Sequence, residues 1–371
     1  MFKKSKYYSL DNILKKNATY YLIFGERSNG KTFACLERIL KKFCESDYTE
    51  QGAVIRRWDD DLKGSRGAVI FAALEAEGLI TKYTDGEYDK VVYKNRSWYL
   101  AKFDEEIKKD VCSPTPMAYA FALSVTEHSK STSFPNITTI LFDEFLTRRA
   151  YLVDEFVLFM NTLSTIIRQR DNVEIFMCGN TVNKYSPYFT EMGLKNVPKM
   201  TIGTIDLYTY GNSKLSVAVE YCASTAGKGG KKSDKYFAFD NPKLQMITGG
   251  AWELEIYPHC PKKYEKKNVK FSYFIEFENN LLQCDIVNVE NDIFTFIHQK
   301  TTPLKNNDKD YVYSVVHKSG YNWSRRITKP SNKLEQVIYK FFADEKVFYQ
   351  DNEIGEIVRN YILWCNSTKF I

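Results

Sequence analysis

Tyr20-Tyr21-Leu22-Ile23-Phe24-Gly25-Glu26-Arg27-Ser28-Asn29-Gly30-Lys31-Thr32, continued by Phe33-Ala34-Cys35-Leu36-Glu37-Arg38-Ile39-Leu40, is the stretch whose reading decides the fold. An apolar run ends in the pattern G-x4-G-K-T and passes into helical apolar spacing, so the sequence predicts a strand, a phosphate-binding P-loop and a helix in succession. A loop whose backbone N–H groups converge on phosphate oxygens needs glycine where a side chain would block the approach, and Gly25 and Gly30 stand there. Lys31 then reaches the β and γ phosphates, the Thr32 hydroxyl is offered to magnesium, and the positive end of the helix faces the anion. Arg27, Ser28 and Asn29 complete the loop. The expected ligand is a nucleoside triphosphate, ATP with Mg2+; a chance match to the pattern would not supply the flanking strand and helix as well.

The frame around this motif is ordinary. A chain of 371 residues predicts two or three domains at roughly 150 residues each. Its 44% hydrophobic and 15% aromatic content excludes a largely disordered chain. A formal charge of +6 permits a polyanionic partner such as nucleic acid without demanding one. No run of eighteen apolar residues occurs, and MFKKSKYYSLDNILKK at the start lacks the apolar core of a signal peptide. The expectation is a cytosolic protein with no membrane partner. Eight cysteines without a C-x-x-C pair signal neither a disulfide framework nor a zinc site, and His259-Cys260 reads as a plain loop.

A second motif lies downstream. Ile137 to Phe145 is an apolar, β-branched strand that ends in Asp143-Glu144, the form of a Walker B segment. Neighbouring strand residues face opposite sides, so the two acids take different roles: Asp143 supports the magnesium shell, and Glu144 orients and deprotonates the water that attacks the γ-phosphorus. A catalytic glutamate separates a hydrolase or motor from a kinase or a slow nucleotide switch. Val173 to Asn180 reads as a further core strand, and parallel core strands deliver their C-terminal ends to one rim, which sets Asn180 beside the γ-phosphate. A helix expected over 153–167 is followed by Arg168-Gln169-Arg170. Either arginine suits a solvated helix end favoured by the dipole or a finger inserted into a neighbouring subunit's site. Lys130, in the serine-rich loop 128–133, is a weaker candidate for the same purpose.

Elsewhere the pattern predicts a strand over 52–58, helix over 59–80 interrupted near Gly64, a hairpin over 90–100 turning at Asn95-Arg96, and a buried strand over 117–125. Leu207 to Glu220 alternates like a strand or hairpin. The glycine- and lysine-rich stretch 224–235 reads either as a soluble linker or as a loop whose Lys228, Lys231 and Lys232 follow a DNA backbone. A basic cluster at 262–267 precedes three short strands over 271–277, 281–289 and 293–297, then helices near 332–342 and 354–364. The division expected is a P-loop ATPase domain over 1–205, a linker or lid over 206–265, and a small α/β domain over 266–371. Glu276, Glu278, Asp285, Glu290 and Asp292 in that last region fit no metal cluster, and solvated strand ends account for them.

Taken together these residues resemble the genome-packaging ATPases, or encapsidation proteins, of small tailed double-stranded DNA phages of the Picovirinae type, which are related to large terminase subunits. The resemblance rests on GERSNGKT with its internal arginine, on Ile55-Arg56-Arg57-Trp58, on the loop from Ser129 to Asn136 leading to Asp143-Glu144-Phe145, on Arg168-Gln169-Arg170, and on Cys178-Gly179-Asn180. It covers residues 1 to 200 well and the rest in outline. It implies an α/β P-loop NTPase of the additional-strand catalytic-glutamate type, with a parallel core sheet flanked by helices. It implies a ring-forming motor, typically a pentamer, docked on the portal of a procapsid in the host cytoplasm and driving double-stranded DNA inward with ATP. In this family the arginine at the position of Arg168 acts in trans, and a lysine like Lys130 sits at the same boundary; the choice of Arg168 over Arg170 rests on that similarity. For the last domain the resemblance implies a ribonuclease H-like fold, read here as degenerate and used for docking. A packaging RNA between motor and capsid is left open. The alternatives are a helicase or DNA pump of the same P-loop division and a nucleotide-controlled assembly protein.

Overall fold

The computed structural model describes residues 8–125, 133–149, 151–152, 154–181, 185–222, 257–304 and 308–367. They fall into two compact units. The first is built on a ten-stranded sheet of β1 (Tyr20–Gly25), β2 (Gln51–Arg56), β3 (Lys90–Lys94), β4 (Ser97–Asp104), β5 (Lys109–Cys112), β6 (Ala118–Ala122), β7 (Ile137–Asp143), β8 (Glu174–Asn180), β9 (Thr204–Thr209) and β10 (Ser216–Cys222). Their spatial order is β3-β4-β6-β2-β7-β8-β1-β10-β9, with β5 pairing off this path with the later residues of β4. From β6 to β10 the neighbours are all parallel. Strands buried on both faces read as unbroken apolar runs, and β7 is buried at every position. Successive side chains of β7 serve opposite faces: Leu141 joins the core of the helix Lys31–Glu45, while Phe142 meets Phe159 of the helix Glu155–Ile167 at 5.0 Å.

The position of β8 between β1 and β7 is the additional strand expected between a P-loop strand and a Walker B strand. The hairpin expected at 90–100 is β3 and β4, with Asn95 and Arg96 at φ 49° and 58°, the double left-handed turn that matches strand twist. One expectation shifts. The sequence predicts a linker from 206, but β9 and β10 pair within the first sheet, β10 lying parallel to β1 from Tyr20↔Val217 to Gly25↔Cys222. The physical reason is burial: β10 is buried at all but its first residue, as a strand covered on both faces must be. Lys130, Lys228, Lys231 and Lys232 lie outside the described residues.

The second unit is a six-stranded sheet of β11 (Val269–Phe277), β12 (Asn280–Val289), β13 (Asp292–Gln299), β14 (Tyr311–Ser314), β15 (Asn322–Ser324) and β16 (Val347–Tyr349), ordered β15-β14-β11-β12-β13-β16. The three expected strands form the antiparallel meander β11-β12-β13. β14 and β15 add in parallel on the β11 side. The helices Lys333–Ala343 and Asn352–Ser367 follow, the first capped by Asn332, whose side chain accepts from the Glu335 N–H at 2.9 Å.

Asp285 departs from its expected place at a solvated strand end. It lies inside β12, 5% exposed, and accepts from Ser272 Oγ (2.6 Å), Gln283 Nε2 (2.9 Å), and His298 Nε2 and Tyr264 Oη (both 3.3 Å). Burial opposes its charge, yet the bonds from His298, Ser272 and Gln283 hold its carboxyl below the ordinary 3.8. The bond to Asp285 raises His298 above its ordinary 6.5 against the opposing effect of burial. The stability His298 contributes is therefore complete below about pH 6.5 and disappears as pH rises through its raised folded value. Thermal melts of the chain are expected to show the second unit weakening across that window, with the pH dependence flattened in His298→Gln; an unchanged profile would remove the pair from the stability balance.

Candidate nucleotide site

The site forms where β1 ends. Gly25 has φ 154°, and a Cβ there would lie 2.8 Å from Cys222 Sγ and 3.0 Å from Cys222 O. The glycine is required by the approach of β10 as well as by an incoming phosphate. Burial pushes the Cys222 thiol up to about 11. It therefore stays protonated, donating to Phe24 O (2.9 Å) and accepting from Asn29 Nδ2 (3.4 Å). Gly30, at φ 93°, turns the chain into the helix Lys31–Glu45. Gly25→Ala is expected to displace Cys222, release Asn29, cost about 1–3 kcal/mol of stability through overpacking, and weaken nucleotide binding about tenfold. Melting and titration with a fluorescent ATP analogue check both; an undisturbed affinity would mean that the loop tolerates the shift.

Lys31 is 5% exposed, and its ammonium donates to Glu26 O (2.6 Å), Asn29 Oδ1 (3.1 Å) and Asn180 Oδ1 (3.4 Å). All three acceptors are neutral oxygens. Burial pushes its pKa down, which marks an ammonium that gains from an anion beside it. Opposite, Thr32 Oγ1 donates to Asp143 Oδ1 at 2.7 Å. Lys31, Thr32, Asp143 and Asn180 line one cavity of about 240 Å3, together with Ser28, Asn29, Gly30, Phe33, Glu144 and Gly179. Arg27 is exposed at the loop's edge. The donor set suits a polyphosphate carrying a hard divalent cation: a buried ammonium and a helix N-terminus for the phosphates, and a hydroxyl beside a carboxylate for the metal.

Asp143 and Glu144 have been brought to this cavity by the parallel register of β7 with β8, Asp143 lying opposite Cys178. Asn180 sits level with Gly25 at the end of β8. Glu144 leaves the strand at φ 61°, a left-handed conformation costing a non-glycine residue about 1–2 kcal/mol. Two arginines to which the sequence alone assigns no role hold it there. Arg56 Nη2 reaches Asp143 Oδ2 at 2.6 Å, and its Nη1 reaches Glu144 Oε2 at 3.1 Å. Arg57, 6% exposed, donates to Glu144 O (3.1 Å), Phe145 O (2.8 Å) and both oxygens of Glu155 (2.7 and 2.8 Å). Removing one member of such a buried pair leaves an uncompensated charge, a loss of about 3–5 kcal/mol. Arg56 ends β2 and Arg57 follows it, and β2 pairs in parallel with β7 through Ile55↔Phe142, so both emerge on the rim that carries the acids, a placement visible only once that pairing is known.

Arg168 and Arg170 are not brought to this cavity. Arg170 is half-buried and donates to Phe134 O, Ile137 O, Ile166 O and Ile167 O. It fastens the end of the helix Glu155–Ile167 to the start of β7. Asp143 is six residues further along that strand, about 20 Å away at 3.3 Å per residue. Arg168 is exposed at φ 52°, directly after the helix.

In the second unit the acids do not gather either. Glu278 lies in the β11–β12 turn and Glu290 in the β12–β13 turn, separated by a ten-residue strand of about 34 Å. Glu290 and Asp292 share Lys262, and Glu276 is paired with Lys318 at 2.6 Å. Among the described residues no three His, Cys, Asp or Glu side chains stand at metal-ligand spacing.

Residues 2–215, more than half of the chain, match the model of a family described as podovirus DNA encapsidation protein (Gp16). The chain is 27% identical over 189 residues to the DNA packaging protein of Bacillus phage PZA, covering 50% of each, so it spans about half the length of the curated relatives it matches. In fold it is similar to a solved structure of the Phi-28 gp11 DNA packaging motor, with TM-score 0.54 and 14% identity over 99% of this chain and 100% of that one. It is also similar to the bacteriophage Phi-29 viral genome packaging motor assembly, with TM-score 0.52 and 18% identity over 96% and 97%. At these identities the structural likeness concerns the fold alone.

Proposed function

Because this chain belongs to the podovirus DNA encapsidation protein (Gp16) family, we propose that it is an ATP-driven motor that moves double-stranded viral DNA into a preformed capsid, hydrolysing ATP at the subunit interfaces of a ring. The observation that carries the reading is the buried Lys31 ammonium, hydrogen-bonded to neutral oxygens in a cavity that Asp143 and Glu144 also line. That arrangement selects a triphosphate, and the glutamate beyond it supplies what hydrolysis needs.

Lys31 and the N–H groups of the loop from Ser28 to Thr32 hold the phosphates. Thr32 and Asp143 hold magnesium, which when bound polarises the phosphoryl oxygens. Glu144 aligns a water with the γ-phosphorus and takes its proton. Asn180, already on the Lys31 ammonium, registers whether the γ-phosphate is present. Arg56 holds Asp143 and Glu144 Oε2 together, so release of Glu144 to serve as base leaves that arginine on Asp143 or frees it to turn to the phosphates. Arg168 serves the neighbouring subunit, a role that its distance from its own chain's cavity supports. On this reading the partners are double-stranded DNA, the portal of a procapsid and further copies of the chain, typically five in a ring, in the host cytoplasm. Among the described residues no helix is long and apolar enough to cross a membrane.

The second unit fits a docking domain better than a nuclease, because Lys318 neutralises Glu276 and the remaining acids stand apart. Plasmid incubated with the protein and Mg2+ or Mn2+ is expected to stay supercoiled; nicking abolished by Asp285→Asn would reverse this assignment. The test of the main reading is steady-state ATP hydrolysis with and without long DNA. Stimulation by duplex supports a packaging motor, preference for single strands points to a helicase, and hydrolysis indifferent to DNA points to an assembly protein.

A further inference from the structure

The helix Glu155–Ile167 is fastened at both ends to the Walker B strand, and the two fastenings are of different kinds. At its first residue, Glu155 is fully enclosed and accepts from Arg57 Nε and Nη2 and from Tyr188 Oη at 2.7 Å. The same guanidinium holds the carbonyls of Glu144 and Phe145. At its last turn, Arg170 ties the carbonyls of Ile166 and Ile167 to those of Phe134 and Ile137 at the beginning of β7. Between the ends Phe159, Leu163 and Ile166 are buried. A thirteen-residue helix spans about 20 Å, and Arg168 follows it immediately.

We infer that Arg57 and Glu155 are positioning residues for the neighbouring subunit's site: through this helix they tie the Glu144 end of one chain to the Arg168 that the same chain presents to the next. The inference rests on the trans role proposed for Arg168 and extends it to how that arginine is delivered. A buried bidentate pair transmits displacement because it has no compliant solvent-exposed arm, and a helix packed along its length moves as a body. A shift of the Glu144–Phe145 peptide on nucleotide closure therefore pulls Glu155 and with it the far end of the helix. If Arg57 and Glu155 served only their own cavity, loosening them in a chain whose cavity is already inactive would change nothing in its neighbour.

That difference gives the test. Subunits carrying Arg168→Ala have a competent cavity and no finger to give; subunits carrying Glu144→Gln have the reverse. Their equimolar mixture is assayed for DNA-stimulated ATP turnover beside a mixture in which the second partner carries Glu144→Gln together with Glu155→Gln. The expected result is that rescue in the second mixture is lower by about fivefold or more, while the doubly substituted chain binds a fluorescent ATP analogue as tightly as Glu144→Gln alone. Equal rescue in the two mixtures overturns the inference. Should the doubly substituted chain lose nucleotide binding, and so its fold, Tyr188→Phe in the Glu144→Gln background removes one hydrogen bond to Glu155; a rescue lowered about twofold supports the inference and an undiminished one overturns it. Absence of rescue in the first mixture is a separate result that removes the trans role of Arg168 and this inference with it.

Discussion

Glu144→Gln is expected to lower the turnover number for ATP by about 10²–10⁴-fold while leaving nucleotide affinity within about threefold of wild type. The separation of the two effects follows from the layout. Lys31, Thr32 and Asn29 form the phosphate side of the cavity and make no hydrogen bond to Glu144. Glutamine has the same shape, and its amide oxygen can still accept from Arg56. What it cannot do is take the proton of an attacking water. The change should also be nearly silent in stability, since the Glu144 side chain is 63% exposed and an exposed ion pair contributes about 0–1 kcal/mol. Rapid-quench measurement of bound-nucleotide hydrolysis beside equilibrium titration distinguishes the outcomes. A Gln variant retaining more than half the rate would mean that Glu144 serves only as a counter-ion to Arg56, and the water would then need another base.

That Lys31, Thr32 and the two acids meet at one cavity could be read because each motif is written into contiguous residues, whose spacing fixes which groups gather where the strands end. The additional strand β8 could be read because a strand buried on both faces is apolar throughout, and its terminal amide then falls on the nucleotide rim. Arg56 and Arg57 could not be assigned in the same way. Their partners Asp143 and Glu155 are 87 and 98 residues away, and two arginines after a strand look alike whether they reach solvent or a carboxylate. The same limit hid the second reason for Gly25, which is Cys222 on a strand nearly 200 residues later. It also hid Asp285, whose burial depends on Tyr264, Ser272 and His298 from three other segments. β10 shows the intermediate case: its pattern announced a strand, but only pairing with β1 makes it part of the first sheet.

Arg168→Ala is expected to reduce DNA-stimulated ATP turnover by about 10³-fold or more, the scale of a lost arginine finger, and to be rescued by mixing with Glu144→Gln subunits. Arg170→Ala is expected to fail differently. Arg170 spends its donors on four carbonyls of its own chain, so its loss strands acceptors at the end of the helix Glu155–Ile167 and lowers melting temperature; each unsatisfied buried group costs about 1–3 kcal/mol. Arg168→Ala leaves those four bonds intact. The stereochemistry makes rescue the decisive observation. Arg168 lies near the start of β7 and the acids at its end, so no modest rearrangement within one chain brings the guanidinium to its own phosphate. A cation that stabilises the transition state from this position must do so in another copy, and a mixture then contains sites that draw the finger from one variant and the glutamate from the other. Loss of turnover without rescue, accompanied by a lowered melting temperature, would make Arg168 a helix-end residue and transfer the search for the trans cation to other basic residues of the subunit boundary.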